Sequence, residues 1–130
     1  MNAAARRTIL VADDEPALRR LIARLLDRAG FRTVAVPDGA AALAALAAEP
    51  PPDAVVADAT LPPDGVLPLL RTLQAAERPA AVVVTSGSTL APDVEQALAS
   101  CRGRFLRKPF EPSELVEALE AAVGPRGGRD

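Results

Sequence analysis

The chain has 130 residues, 49% apolar and 25% charged, with a formal net charge of −2. That balance suits one soluble globular domain with a single core. It offers no basic surface for nucleic acid and no apolar run long enough to span a membrane. There is no histidine and one cysteine, Cys101. Histidine bases, Ser-His-Asp triads and internal disulfides are therefore excluded, and a cysteine zinc site is argued against. Any chemistry must run on carboxylates, hydroxyls and the single lysine, Lys108. Residues 1–7 carry two arginines but no apolar h-region follows, so they read as an N-terminal extension and not a secretory signal. A cytoplasmic location is the default expectation.

Thr8–Ala12 is expected to form a buried strand. Leu18, Leu21, Ile22, Leu25, Leu26 and Ala29 then recur at helical spacing. They predict an inward face on a helix over 15–29, ended by Gly30. Residues 33–36 read as a second strand. Asp38 is placed to N-cap a helix running to Ala48, with Leu43 and Leu46 inward, and Pro50-Pro51-Pro52 stops it. A third strand is expected over 54–57, then a helix over 65–76 with Pro68 near its first turn. Residues 81–85, valine-rich and apolar on both faces, predict a fourth strand. Pro92 opens a helix to Ser100, with Val94, Ala97, Leu98 and Cys101 on one side. Phe105-Leu106 lies in a short fifth strand. The last helix is Pro112–Val123, with Leu115, Val116, Leu119, Ala122 and Val123 inward. Residues 124–130 hold no core residue and are expected to be a disordered tail. Strands and helices alternate strictly, and apolar strands of this kind form parallel sheets covered on both faces. Right-handed crossovers then give an α/β, doubly wound, three-layer sandwich.

In such sheets ligands bind beyond the carboxyl ends of the strands. The first strand is followed by Asp13, Asp14 and Glu15, and the third by Asp58. The fourth ends in Thr85-Ser86-Gly87 and the fifth in Lys108-Pro109. Converging carboxylates cannot all stay ionised without compensation. Lys108 supplies one positive charge, and a divalent cation would supply two more. Oxygen ligands without histidine or cysteine favour Mg2+. A cation beside a free carboxylate, an amine and a hydroxyl suits phosphoryl transfer. Read alone, the run 13–15 is also explained as helix N-terminal acids favoured by the dipole. Glu15 is read only as a first-turn acid, and Arg6-Arg7 and Arg19-Arg20 as solvated surface. Cys101 is read as a small buried residue. Phe105 is read equally as a core aromatic.

The stretches "ILVADDEPALRRLI", "PDAVVADATLPPDG", "VVVTSG" and "FLRKPFEPSEL" together resemble the receiver domain of two-component response regulators, over residues 8–123. The resemblance implies the flavodoxin-like (βα)5 fold, with a five-stranded parallel sheet of order 2-1-3-4-5. It implies that Asp58 is the phosphoacceptor, served by a sensor histidine kinase or histidine phosphotransfer protein. Asp14 and Asp58 would bind Mg2+ directly and Asp13 largely through water, with the backbone carbonyl of Thr60 as a further ligand. Lys108 and Ser86 would bind the phosphoryl group. Ser86 is preferred to Thr85, the alternative hydroxyl, because Gly87 follows it. Ser86 and Phe105 would form the switch, and a cis Lys108-Pro109 bond is implied. The output would go to a downstream protein effector, without nucleic acid or membrane. Two features depart from the family pattern. The "LPPDG" loop after Asp58 is one residue short and has Pro63 in place of glycine, and the switch aromatic is phenylalanine.

The leading reading is a phosphoacceptor signalling domain, stand-alone or cut from a longer chain, and not an enzyme. One alternative is a receiver-like protein-binding module that works without phosphorylation, for which the short loop speaks. The other is a Mg2+-dependent phosphatase forming an aspartyl phosphate. That class wants Asp-x-Asp, whereas the sequence reads Asp58-Ala59-Thr60.

Overall fold

The computed structural model describes residues 6–124. Five strands and five helices alternate along the chain. They are β1 (Thr8–Ala12), α1 (Pro16–Arg28), β2 (Arg32–Val36), α2 (Gly39–Leu46) and β3 (Ala54–Asp58). Then follow α3 (Leu67–Ala75), β4 (Ala81–Ser86), α4 (Pro92–Ser100), β5 (Arg104–Arg107) and α5 (Pro112–Val123). All pairings are parallel, and the sheet order is β2-β1-β3-β4-β5. The expected fold class and strand order are both present. The expected tail, apart from Gly124, and residues 1–5 of the N-terminal extension lie outside the described residues.

Alternation along the central strands sorts the core into two layers. Leu10, Ala12, Val55, Ala57, Val82 and Val84 face α2, α3 and α4, meeting Ala42, Leu69, Leu70, Leu73 and Leu98. Ile9, Val11, Val56 and Val83 face α1 and α5, meeting Ile22, Leu26, Leu115 and Leu119. A strand covered on both faces gains burial at every residue, which is why β1, β3 and β4 are apolar apart from Thr8 at the start of β1 and the polar residues at the carboxyl ends of β3 and β4. The edge strands β2 and β5 are mostly exposed and carry Arg32, Arg104 and Arg107.

Several boundaries and faces differ from expectation. α1 begins at Pro16, with Glu15 as its N-cap. α2 ends at Leu46, short of Ala48. α3 begins at Leu67 and not at Gly65, because Gly65 stands at φ +75° in the preceding loop. On α1 only Ile22 and Leu26 are fully buried. Leu21 is 49% exposed and Ala29 is exposed as well. Asp38 caps α2 as expected, accepting the Ala41 N–H at 2.8 Å. Arg7 is also no solvated surface residue. It is half-buried and lies 3.9 Å from Asp53.

The turn after α4 uses Arg102 and Gly103 in different ways. Gly103 N–H bonds the Leu98 carbonyl at 2.9 Å and Arg102 N–H the Ala99 carbonyl at 3.0 Å, a Schellman closure. Its left-handed position is Arg102, at φ 56°, where glycine is the ordinary choice. Gly103 is required for another reason: a Cβ there would stand 2.8 Å from Val82 Cγ1 and 3.0 Å from the Val82 carbonyl. Neighbouring substitutions should therefore act with opposite signs. Gly103→Val should lose about 3 kcal/mol by overpacking, and Arg102→Gly should gain about 0.5–1 kcal/mol. Chemical denaturation of the two variants checks both.

Candidate functional site

The carboxyl ends of β1, β3, β4 and β5 meet at one edge of the sheet. β1 delivers Asp13, whose N–H bonds the Val36 carbonyl of β2 at 3.2 Å. Asp13 is buried, although it lies just past the strand. Its Oδ1 accepts the Glu15 N–H at 2.9 Å, and its Oδ2 lies 3.4 Å from Lys108 Nζ. β3 extends through Asp58, one residue further than expected. Asp58 is only 8% exposed. Its Oδ1 accepts both the N–H and the hydroxyl of Thr60, each at 3.2 Å. Its Oδ2 lies 3.3 Å from Lys108 Nζ. Asp14 is exposed beside them. One carboxylate oxygen from each of Asp13, Asp14 and Asp58 falls within 4.8 Å of the others.

Lys108 thus bridges two buried carboxylates. At 3.3–3.4 Å these contacts are longer than tight charge-assisted hydrogen bonds. One ammonium faces three acids, so acidic groups outnumber it in the cluster. Carboxylate oxygens at this spacing, with no nitrogen or sulfur donor among them, fit a small hard cation. The short loop after Asp58 is firmly tied. Leu61 N–H bonds the Asp58 carbonyl at 3.1 Å, Gly65 N–H the Leu61 carbonyl at 2.7 Å and Val66 N–H the Ala59 carbonyl at 3.2 Å. Gly39 N–H, at the start of α2, bonds the Pro62 carbonyl at 2.8 Å. Gly65 is needed here, because its φ is +75° and a Cβ would lie 3.1 Å from the Ala59 carbonyl.

β4 also runs one residue further than expected, through Ser86. Its carbonyl accepts the Lys108 N–H at 2.8 Å, which ties the hydroxyl residue's main chain to that of the lysine. Ser86 Oγ accepts the Ser88 N–H at 3.1 Å, so its own proton remains to be donated. Thr85 is buried opposite Asp58 in the β3–β4 register. The Lys108-Pro109 peptide is cis. Phe105 is 40% exposed on the edge strand β5, which overturns the core-aromatic reading. The buried phenylalanine is Phe31, just after α1, a residue that carried no expectation.

Two assignments outside the acids change as well. Arg19 is not free surface: it is half-buried, and its Nη1 donates to the Asp13 carbonyl at 2.7 Å. The partner is a main-chain atom, which residue types do not reveal; only the position of Arg19 six residues after Asp13, on the first turns of a helix, hinted at the reach. Cys101 caps α4 half-buried, its Sγ 3.5 Å from the Leu70 carbonyl. Burial pushes its thiol above the ordinary value of 9.0.

Comparison with known proteins agrees with this geometry. Residues 9–120 match the response regulator receiver domain. The chain is 35% identical over 118 residues to the DNA-binding response regulator MtrA of Mycolicibacterium smegmatis, covering 91% of this chain and 51% of that one. It is 37% identical over 115 residues to the transcriptional regulatory protein KdpE of Mycobacterium tuberculosis, covering 88% of this chain and 50% of that one. The chain therefore spans about half the length of these curated relatives. Among solved structures, the receiver domain of the sensor histidine kinase PA1611 from Pseudomonas aeruginosa superposes with a TM-score of 0.78 at 27% identity. That match covers 92% of this chain and 99% of that one, and the PA1611 structure has a magnesium ion coordinated in its active-site cleft. With the five-stranded sheet and the acidic strand ends in place, the family match makes this chain a member of the response regulator receiver domain family of two-component systems.

Proposed function

We propose that Asp58 is a phosphoacceptor, taking a phosphoryl group from a histidine kinase or histidine phosphotransfer protein with Mg2+ bound at the acidic cluster. The observation that carries this reading is the Asp13–Asp14–Asp58 cluster with Lys108 bridging two of its members. Asp14 and Asp58 would hold the cation directly, Asp13 largely through water, and the Thr60 carbonyl would add a ligand. Bound Mg2+ would supply two positive charges against the acids and the incoming phosphoryl oxygens. A carboxylate oxygen of Asp58 attacks phosphorus, and the bond from phosphorus to the donor nitrogen breaks. The electron pair of that bond leaves with the imidazole. Thr60, through its N–H and hydroxyl on Oδ1, holds the carboxylate in one orientation. Lys108 offsets charge on the phosphoryl oxygens after transfer, and the Ser86 hydroxyl donates to them.

An apolar groove of about 520 Å³ beside Lys108 supports donor docking at α1. It is lined by Leu18, Leu21, Ile22 and Leu25 of α1 and by Pro109 and Phe110. Movement of Ser86 and Phe105 would shift the population of the α4–β5–α5 surface between two states, read by a protein effector. No nucleic-acid contact is assigned to these residues. Nor is turnover: the domain assists its own phosphorylation and is not an enzyme acting on others.

Intact-mass measurement with acetyl phosphate tests the reading. One added phosphoryl group is expected in the presence of Mg2+ and none after chelation. No adduct from acetyl phosphate, nor from a cognate kinase, would favour a binding module that works without phosphorylation.

A further inference from the structure

We propose that Arg19 is a positioning residue for the cation site, acting on Asp14 through the peptide bond between Asp13 and Asp14. The inference rests on the reading of the acidic cluster as a Mg2+ site. Arg19 is the fourth residue of α1, which starts at Pro16. That is an unfavourable end of a helix for a cation. Helical side chains lean toward the N-terminus, so Arg19 reaches back over the start of α1. Its Nη1 donates to the Asp13 carbonyl at 2.7 Å, shorter than any other contact made by Asp13.

With that bond, each polar atom of Asp13 has a partner. Its N–H is held by Val36 at 3.2 Å, its Oδ1 by the Glu15 N–H at 2.9 Å and its Oδ2 by Lys108 at 3.4 Å. Asp14 differs: it is exposed, and no ion pair among the described residues includes it. What aims Asp14 is the plane of the peptide it shares with the Asp13 carbonyl. Arg19 holds that carbonyl, and so holds the plane. A ligand fixed before the cation arrives costs less ordering on binding.

Charge and position make opposite predictions for loss of Arg19. The guanidinium is a positive charge held on the main chain of Asp13 and repels a cation, so loss of charge alone would tighten Mg2+ binding. Loss of position would weaken it, as loss of outer partners of metal ligands commonly does. Titration calorimetry of MgCl2 into the wild-type chain, Arg19→Gln, Arg19→Lys and Arg20→Gln separates the two. Arg19→Lys keeps the charge and most of the stem, so it also covers the case in which Arg19→Gln folds poorly. Mg2+ affinity is expected to fall about tenfold in both Arg19 variants and to stay unchanged in Arg20→Gln. The melting temperature without Mg2+ should move little in Arg19→Lys. Unchanged or tighter binding in Arg19→Gln, with an unchanged Arg19→Lys, would overturn the positioning role while leaving the cation site intact. Absence of Mg2+ binding by the wild-type chain would instead overturn the cation reading, and the role of Arg19 with it.

Discussion

Asp58→Asn should take up no phosphoryl group from acetyl phosphate and should be more stable than the wild-type chain when Mg2+ is absent. The first effect follows from chemistry. A carboxamide is not a nucleophile of carboxylate strength, and Asp58 is the one acid that Thr60 orients through two contacts at 3.2 Å. The second follows from electrostatics. Asp58 is 8% exposed and has two acid neighbours within 4.8 Å against one ammonium at 3.3 Å. Two repulsions and a desolvation penalty are removed, and one attraction is lost. An asparagine carbonyl still accepts from Thr60, so the loop keeps its anchor. The gain should be about 1 kcal/mol, seen as a rise of roughly 3–5 °C in melting temperature. Intact mass and thermal denaturation with and without Mg2+ measure both. A phosphoryl adduct retained by Asp58→Asn would show that another residue is the acceptor.

Lys108→Ala should slow phosphorylation by acetyl phosphate about 100-fold, the usual scale for removing one group that stabilises developing charge. It should also tighten Mg2+ binding, because it removes a positive charge from beside the cation site. Without Mg2+ the variant should lose about 2 kcal/mol. Asp13 and Asp58 are buried, and each would lose its lysine partner. The lysine itself keeps some solvent contact, which places the loss below that of a fully buried pair. Added Mg2+ should recover more stability in the variant than in the wild-type chain. Lys108→Arg should not restore the rate, since a planar fork cannot replace a point charge between two carboxylates. Adduct formation followed over time, with calorimetric Mg2+ titration, checks the rate and the affinity. An unchanged rate in Lys108→Ala would reduce the lysine to a structural counter-charge.

Much of the molecule is legible without coordinates, for local reasons. β1, β3 and β4 are apolar at successive residues, and only a strand covered on both faces needs that. The acids after β1, the aspartate ending β3, the hydroxyl ending β4 and the lysine after β5 stand at strand ends, where a parallel sheet gathers its chemistry. Residue type and order along the chain therefore carried the fold class and the membership of the acidic cluster. Tertiary structure alone decided three other matters. The apolar stripe of α1 is wider than the surface that covers it, so periodicity does not separate buried Ile22 and Leu26 from exposed Leu21. Phe105 and Phe31 have the same side chain. Phe105 lies on an edge strand, where it is 40% exposed, whereas Phe31 turns into the core at 6%. Arg19 looked like one of a solvated pair, yet its partner is the Asp13 carbonyl. Every residue has such a carbonyl, and only the folded path of the chain determines which one an arginine can reach.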